Sequence, residues 1–279
     1  MKKSKLKENL KYVLIFLVGF AVAMYPLISR LYYRIEANSE VYDFDTTAKK
    51  IDKKEIDRRI RLAQIYNKTL DPSKLADPYS EKEKKNAISE YARMLEVKEK
   101  IGHVEIPKIN QDLPIYAGTS EEVLQKGVGH LEGTSLPVGG KGTHTVLTAH
   151  RGLPTAKLFT DLNKMKKGDV FFIHNIKEVL AYKVIDIFVV EPSDFDKVLV
   201  VEGKDYCTLL TCTPYMINSH RLLVRAERTE YNPAAVEKDL VSQVTGKYKI
   251  YLIISLIIIA ILLWYYIRQR RRKKNNEIK

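Results

Sequence analysis

Three residue types in this chain can together make and break an acyl bond. Cys212 stands in Leu209-Leu210-Thr211-Cys212-Thr213-Pro214, and Arg221 follows nine residues later. His150 lies sixty-two residues before the cysteine, in Thr148-Ala149-His150-Arg151-Gly152. A thiolate is a strong nucleophile, favoured by a nearby cation. An imidazole gives a proton to a departing amine and takes one from an incoming amine. A guanidinium stays charged and can hold an oxyanion or a carbonyl. The set is that of an enzyme forming an acyl thioester and passing it on.

Each candidate sits where an element should end. Cys212 closes the apolar run from Cys207 to Thr211 and precedes Pro214, which cannot continue a central strand. His150 follows the strand-like Thr145-Val146-Leu147. If residues 206–212 and 221–227 form a hairpin, Arg221 returns beside Cys212. Bland readings stand beside these: Cys212 as a second structural cysteine, Arg221 in a surface ion pair. His130, in Gly127-Val128-Gly129-His130, is a second candidate base, and His220 points away from its neighbour Arg221 on a strand. Cys207 and Cys212 are the two cysteines. On one strand they lie about 16 Å apart and on opposite faces, beyond disulfide reach. Cys207 therefore reads as a core thiol and Cys212 as a thiol outside any disulfide.

The ends of the chain say where this chemistry happens. Residues 12–29 and 250–267 are each free of charge over 18 positions. At about 1.5 Å per residue each run is about 27 Å long, close to a bilayer's hydrocarbon core. Trp264, Tyr265 and Tyr266 form an aromatic edge to the second run. Residues 1–11 contribute +4 and residues 268–279 contribute +6, so +10 of the net +13 lies in two tails. The positive-inside rule places both tails in the cytoplasm and residues 30–249 outside. The charge is thus a topology signal, and nucleic-acid binding is excluded as its cause. Ala21-Val22-Ala23 also fits a cleavage site, so the first run stands either as an anchor or as a signal peptide. A thiol exported from the cell without a disulfide partner calls for catalysis.

Residues 30–101 are expected to be helical, with one helix over 45–71 and a second over roughly 81–98. A loop with Pro72 and Pro78 separates them, over about 67–80. From Gly102 to residue 228, short β-type runs alternate with Gly, Pro and Asn punctuation. They are 103–106, 113–116, 143–148, 169–174, 180–190, 206–211 and 221–227, with short helices near 121–126 and 158–162. Seven or eight such strands predict a mainly β barrel or sandwich. Residues 229–249 read as a juxtamembrane linker.

Several segments, in order, carry a resemblance. Thr-Ala-His-Arg-Gly at 148–152, Thr-Leu-Leu-Thr-Cys-Thr-Pro at 208–214 and Asn-Ser-His-Arg-Leu-Leu-Val-Arg at 218–225 resemble the signature segments of a sortase. Ile106-Pro107-Lys108-Ile109, Leu113-Pro114-Ile115-Tyr116 and Gly127–Gly133 are similar to that family too. The resemblance implies an eight-stranded β-barrel over 102–228 and cysteine transpeptidation at a Leu-Pro-x-Thr-Gly-like sorting signal, cleaved between Thr and Gly. It implies Cys212 as nucleophile, His150 as general acid and base, and Arg221 as stabiliser of the oxyanion. Asp77-Pro78-Tyr79 resembles the lid motif of class C, the pilus-building sortases, in which the Asp pairs with the catalytic Arg and the aromatic covers the Cys. A second membrane segment also resembles that class. The implied partners are pilin subunits bearing a sorting signal and an acceptor lysine, together with the membrane. No metal or organic cofactor is expected. Two other readings remain: a housekeeping-type sortase with a cell-wall peptide amine as acceptor, and a non-catalytic membrane-anchored scaffold.

Overall fold

The computed structural model describes residues 2–70 and 94–232. Two helices lead the chain: α1 (Lys2–Ala48) and α2 (Lys53–Lys68). Among the described residues, eight strands and one short α-helix follow: β1 (Lys100–Ile106), β2 (Gln111–Ala117), α3 (Glu121–Lys126), β3 (Val128–His130), β4 (Thr143–Thr148), β5 (Val170–His174), β6 (Val179–Val190), β7 (Asp205–Thr213) and β8 (His220–Thr229).

The strands close into a barrel in the order β1-β2-β3-β4-β7-β8-β6-β5. Two pairings, β2 with β3 and β4 with β7, are parallel, and the others are antiparallel. Alternation sorts the side chains into two apolar clusters. Leu147 of β4 and Ala149 just beyond it, Cys207 and Leu209 of β7, and Leu222, Val224 and Ala226 of β8 enter the barrel interior. Val146, Leu210, Leu223 and Val190 point to the other face, where Val198 and Phe195 of the β6–β7 segment cover them. Burial on both faces explains why these strands read as continuous apolar runs.

The barrel agrees with the sequence reading, but several boundaries differ from it. The helix read over 45–71 is two helices. Asp52 accepts a hydrogen bond from the Lys54 amide at 2.8 Å, and this N-cap starts a new helix after α1 has ended at Ala48. The helix expected to reach 98 does not do so. Lys98 and Glu99 have positive φ (48° and 71°), and Val97 pairs with Lys100 in a tight turn before β1. Strand β3 carries no mark in the sequence, because glycines 127 and 129 look like punctuation. Gly129 is required there: a Cβ would sit 2.5 Å from the Gly118 carbonyl oxygen. The short helix expected at 158–162 is a 3-10 turn at Leu162–Lys164.

Helix α1 is one 47-residue helix, and Pro26 lies within it. From Leu14 onward it is long and apolar enough to cross a membrane, and the apolar stretch is wholly unburied. Its C-terminal part is different. Ala37, Val41, Phe44 and Ala48 are buried at helical spacing against the barrel. Lys100, almost completely buried, pairs with Glu40 and Asp43 of α1. His103 of β1 hydrogen-bonds Asp45 at 3.3 Å and Asp112 of β2 at 2.7 Å. Helix α1 thus passes from an apolar rod into a docked arm within a single element. The second apolar run at 250–267, the linker beyond Asn232, the C-terminal tail and most of the 67–80 loop lie outside the described residues.

Candidate active site

Strand register brings the three sequence candidates together. Cys212 and Arg221 are cross-strand partners on β7 and β8, and Arg221 is in turn opposite Val190 of β6. On the other side, β4 runs parallel to β7 with Thr148 opposite Leu210. Beyond the last pair, the Ala149 amide donates to the Leu210 carbonyl at 3.3 Å, so the register continues past the strand end. Two residues beyond Thr148 and Leu210 stand His150 and Cys212. Ala149 faces the interior, so alternation turns His150 outward. His150, Cys212 and Arg221 therefore occupy one row across three neighbouring strands, on the face away from the barrel interior. Strands lie about 4.8 Å apart, which puts neighbouring members of the row within side-chain reach.

In the row behind this one, Leu210 lies opposite Leu223 and Leu223 opposite Phe188, with the buried Thr148 at its β4 end. This row forms a dry floor. Cys212 and Arg221 are themselves 6% and 7% exposed, and the His150 side chain is 20% exposed. A water-poor setting strengthens charge interactions among such groups.

Hydrogen bonds hold His150, Arg221 and the two neighbours of Cys212. The Thr211 hydroxyl, fully buried, donates to the Ala149 carbonyl at 2.7 Å and ties the residue before Cys212 to the residue before His150. Arg151 Nη1 donates to Thr213 Oγ1 at 2.8 Å, while its Nε donates to the Thr160 carbonyl at 3.3 Å. The pair His150-Arg151 and the pair Cys212-Thr213 are thus linked to each other. His150 Nε2 lies 3.3 Å from a Glu121 carboxylate oxygen at the start of α3. Arg221 Nη1 donates to the carbonyls of Asn218 and His220 at 3.0 and 3.1 Å. The arginine therefore braces the β7–β8 loop that follows Cys212. Gly152 carries φ of +106°, and a Cβ there would meet the Tyr215 ring at 3.1 Å. That ring closes the loop after His150 against the loop after Cys212.

The other thiol and imidazoles fall away. Cys207 is fully buried on the interior face, and burial pushes its thiol well above the ordinary range, so it stays protonated. His130, the second candidate base, is buried, and its Nε2 lies 2.8 Å from the Ser135 carbonyl; burial lowers its pKa to about 4. It is a neutral structural side chain. His144 shares the outer face three rows behind the site, between Leu199 O at 2.9 Å and Thr208 Oγ1 at 2.8 Å, and burial again lowers its pKa to about 4. It ties the β6–β7 segment to the barrel. His220 is half-buried, bonded to Ser219 Oγ, with its Nε2 3.5 Å from a Glu191 carboxylate oxygen. The sequence reading misses Glu121, Arg151, Thr211 and Thr213. Thr211 and Thr213 flank the cysteine, and their alternation marks one hydroxyl on each side of it. Glu121 carries no signal, because twenty-nine residues separate it from His150. Among the described residues no group of three or more His, Cys, Asp or Glu side chains is arranged to hold a metal ion. Asp77, Pro78 and Tyr79 lie outside the described residues.

This architecture and these segments are shared with known proteins. Residues 104–229 match the sortase domain. Sortase C-1 from Streptococcus pneumoniae is 59% identical, with a TM-score of 0.68 over 70% of this chain and 100% of that one. A pilus-related sortase C of Group B Streptococcus is 60% identical, with a TM-score of 0.66 over 68% of this chain and 97% of that one. Sortase A of Bacillus anthracis is 33% identical over 135 residues, which is 48% of this chain and 61% of that protein. This chain thus spans less than two thirds of that relative. An eight-stranded barrel of this order, its signature segments in sequence and identities near 60% to sortases C lead to one assignment: the chain belongs to the sortase family, within class C.

Proposed function

We propose that this protein is a membrane-anchored cysteine transpeptidase that cleaves a Leu-Pro-x-Thr-Gly-like sorting signal between Thr and Gly and joins the new acyl group to a pilin lysine. The observation that carries the reading is the single row His150, Cys212, Arg221 on three adjacent strands. Three functions needed at one carbonyl lie side by side there: nucleophile, proton carrier and fixed cation.

The Cys212 thiolate attacks the Thr carbonyl carbon, forming an S–C bond and moving the carbonyl electron pair onto oxygen. Arg221 holds that oxyanion. The Thr–Gly C–N bond then breaks as the oxyanion collapses, and His150 delivers a proton to the departing Gly amine. The lysine amine next attacks the thioester carbonyl, His150 takes its proton, and the thiolate leaves. The product is an isopeptide bond, and the enzyme returns unchanged. Neither half-reaction needs a cofactor.

The same reading gives α1 the role of membrane anchor and residues 250–267 that of a second span, with both tails cytoplasmic. Residues 77–79 act as a lid over the row, with Asp77 toward Arg221 and Tyr79 over Cys212, so that substrate competes with a closed resting state. The pilus-related names of similar sortases C favour a pilin acceptor over a cell-wall peptide amine. The test is to incubate the protein with a sorting-signal peptide and weigh it intact. A thioester adduct that maps to Cys212 and disappears on adding a lysine-bearing pilin peptide is the expected result. Failure to form any adduct, with Asp77 and Tyr79 also changed to Ala, favours a non-catalytic scaffold.

A further inference from the structure

The β7–β8 loop presents three consecutive large apolar side chains to solvent: Tyr215, Met216 and Ile217, at 45%, 69% and 71% exposure. Isolated exposed apolar residues need no account, but a run of three at a loop tip does. The tip is held in a defined shape. The Ile217 and Asn218 amides both donate to the Pro214 carbonyl, at 3.1 and 3.0 Å. Met216 and Asn218 adopt left-handed φ of 66° and 61°, unusual for residues with a side chain. Arg221 braces the same loop from behind through the Asn218 carbonyl. A tight, braced turn holding its apolar residues outward is built to present them.

What it presents them to follows from α1. The charge-free run of α1 ends at Ser29, and the next residues dock on the barrel. Arg30 Nε donates to the Pro154 carbonyl at 3.4 Å, and Tyr33 Oη donates to the Lys126 carbonyl at 2.5 Å. Pro154 lies four residues after His150, and Lys126 ends the helix that carries Glu121. The helix therefore meets the barrel at the end that bears the candidate row. Gly152, two residues before Pro154, lies directly under Tyr215 and Met216. The apolar tip is thus only a few contacts from the point where α1 leaves its apolar stretch. Residues 213–219 hold no carboxylate, and Arg30 and Arg151 flank the region. A phenol, two apolar side chains and neighbouring arginines suit an interface of anionic headgroups and acyl chains.

We infer that the tip Tyr215-Met216-Ile217 seats in the interfacial layer of the bilayer that holds α1, and so sets the catalytic end of the barrel against the membrane surface. The inference rests on the reading of α1 as a membrane helix. Its occupant is lipid, and the depth expected for such an apolar edge is about 5–10 Å below the headgroup boundary.

The test uses the full-length protein in vesicles of anionic and neutral phospholipid. Trp264 is the one tryptophan, so Ile217→Trp is made together with Trp264→Phe. Fluorescence is read in vesicles whose lipids carry bromines at shallow or deep acyl positions. The expected result is a blue-shifted emission quenched more strongly by shallow than by deep bromines. Lys141→Trp in the same background, at the opposite end of β4, is expected to emit as in water. Co-flotation of the protein with vesicles, but with no quenching of the indole at position 217, overturns the inference and leaves the anchor reading intact. Equal quenching at positions 217 and 141 also overturns it, since the barrel then has no oriented edge. A signal from position 217 that changes only on adding a sorting-signal peptide assigns the loop to substrate and likewise overturns it. Protein that fails to float with vesicles removes the anchor and the inference together.

Discussion

Cys212 on β7 and Arg221 on β8 are register partners on antiparallel strands, and both sit on the outer face of the barrel wall beside an apolar floor. The guanidinium is not left loose beside the sulfur. It donates to the Asn218 carbonyl of the loop that joins the two strands and to the His220 carbonyl at the start of β8, so the cation is tied to the turn that follows the cysteine. A group fixed before the reaction stabilises developing charge without reorganising.

Replacing Arg221 separates charge from geometry. Arg221→Lys keeps the charge but lacks the planar guanidinium, whose Nη1 reaches both the Asn218 and His220 carbonyls. Arg221→Ala is expected to lower the rate of thioester formation by about 10²- to 10³-fold, the usual cost of losing an oxyanion donor. Arg221→Lys should recover only a small part of that loss. Single-turnover acylation with a sorting-signal peptide measures both, and full recovery by lysine would show that charge alone suffices.

Arg151 acts on the site through its neighbours. Arg151→Met removes the bonds to Thr213 Oγ1 and the Thr160 carbonyl that tie the His150 loop to the end of β7. Misplacement of a reacting group by about 1 Å costs on the order of 10²-fold. We expect a fall in kcat of that order with KM nearly unchanged and a smaller change in melting temperature. A change in KM along with the fall in kcat would argue for a substrate contact instead.

Thr211→Val leaves the Ala149 carbonyl without its hydroxyl donor in a fully buried setting. The loss of such a partner costs about 1–3 kcal/mol. Denaturant unfolding measures that cost. Because Ala149 precedes His150, the acylation rate should fall as well, which a purely structural threonine would not require.

Stability should fall away on both sides of neutrality, for different histidines. His130 and His144 have folded values of about 4, lowered by burial, against 6.5 when unfolded. Their contribution is full above 6.5 and is lost as pH falls from 6.5 toward 4, at roughly 3 kcal/mol each at most. For His103, burial is the largest influence and pushes its pKa down, but Asp112 and Asp45 together outweigh it and the net shift is upward. Its contribution is full below 6.5 and is lost as pH rises through the raised folded value. Melting curves across pH should therefore lose their alkaline decline in His103→Gln and soften their acid decline in His144→Gln. An unchanged alkaline limb in His103→Gln would show that its carboxylate pairing carries no such stability.

Thiol labelling distinguishes the two cysteines and tests the lid. In the folded protein an alkylating agent should reach Cys212 and not the interior Cys207. Changing Asp77 and Tyr79 to Ala should speed labelling of Cys212. Unchanged labelling would argue against a lid that covers the thiol at rest.

Residue types and spacing determined much of this protein by themselves. The strand end at Thr148, the apolar run that closes at Cys212 two residues before Pro214, the charged tails and the signature segments are local or compositional facts, and periodicity or charge reports them directly. The sequence also separated Cys207 from Cys212, because a five-residue step on one strand fixes opposite faces. What it did not contain is which strands become neighbours. His150 and Cys212 meet because β4 and β7 pair in parallel across a separation of sixty-two residues, a pairing decided by barrel closure and not by any local preference. Glu121, Arg151 and the loop over Gly152 join the site through the same closure. The division of the helix read over 45–71 turned on one aspartate whose side chain caps α2. Tertiary structure thus decided the contacts of large sequence separation, because burying both faces of the barrel wall satisfies apolar surface that no single segment can cover alone.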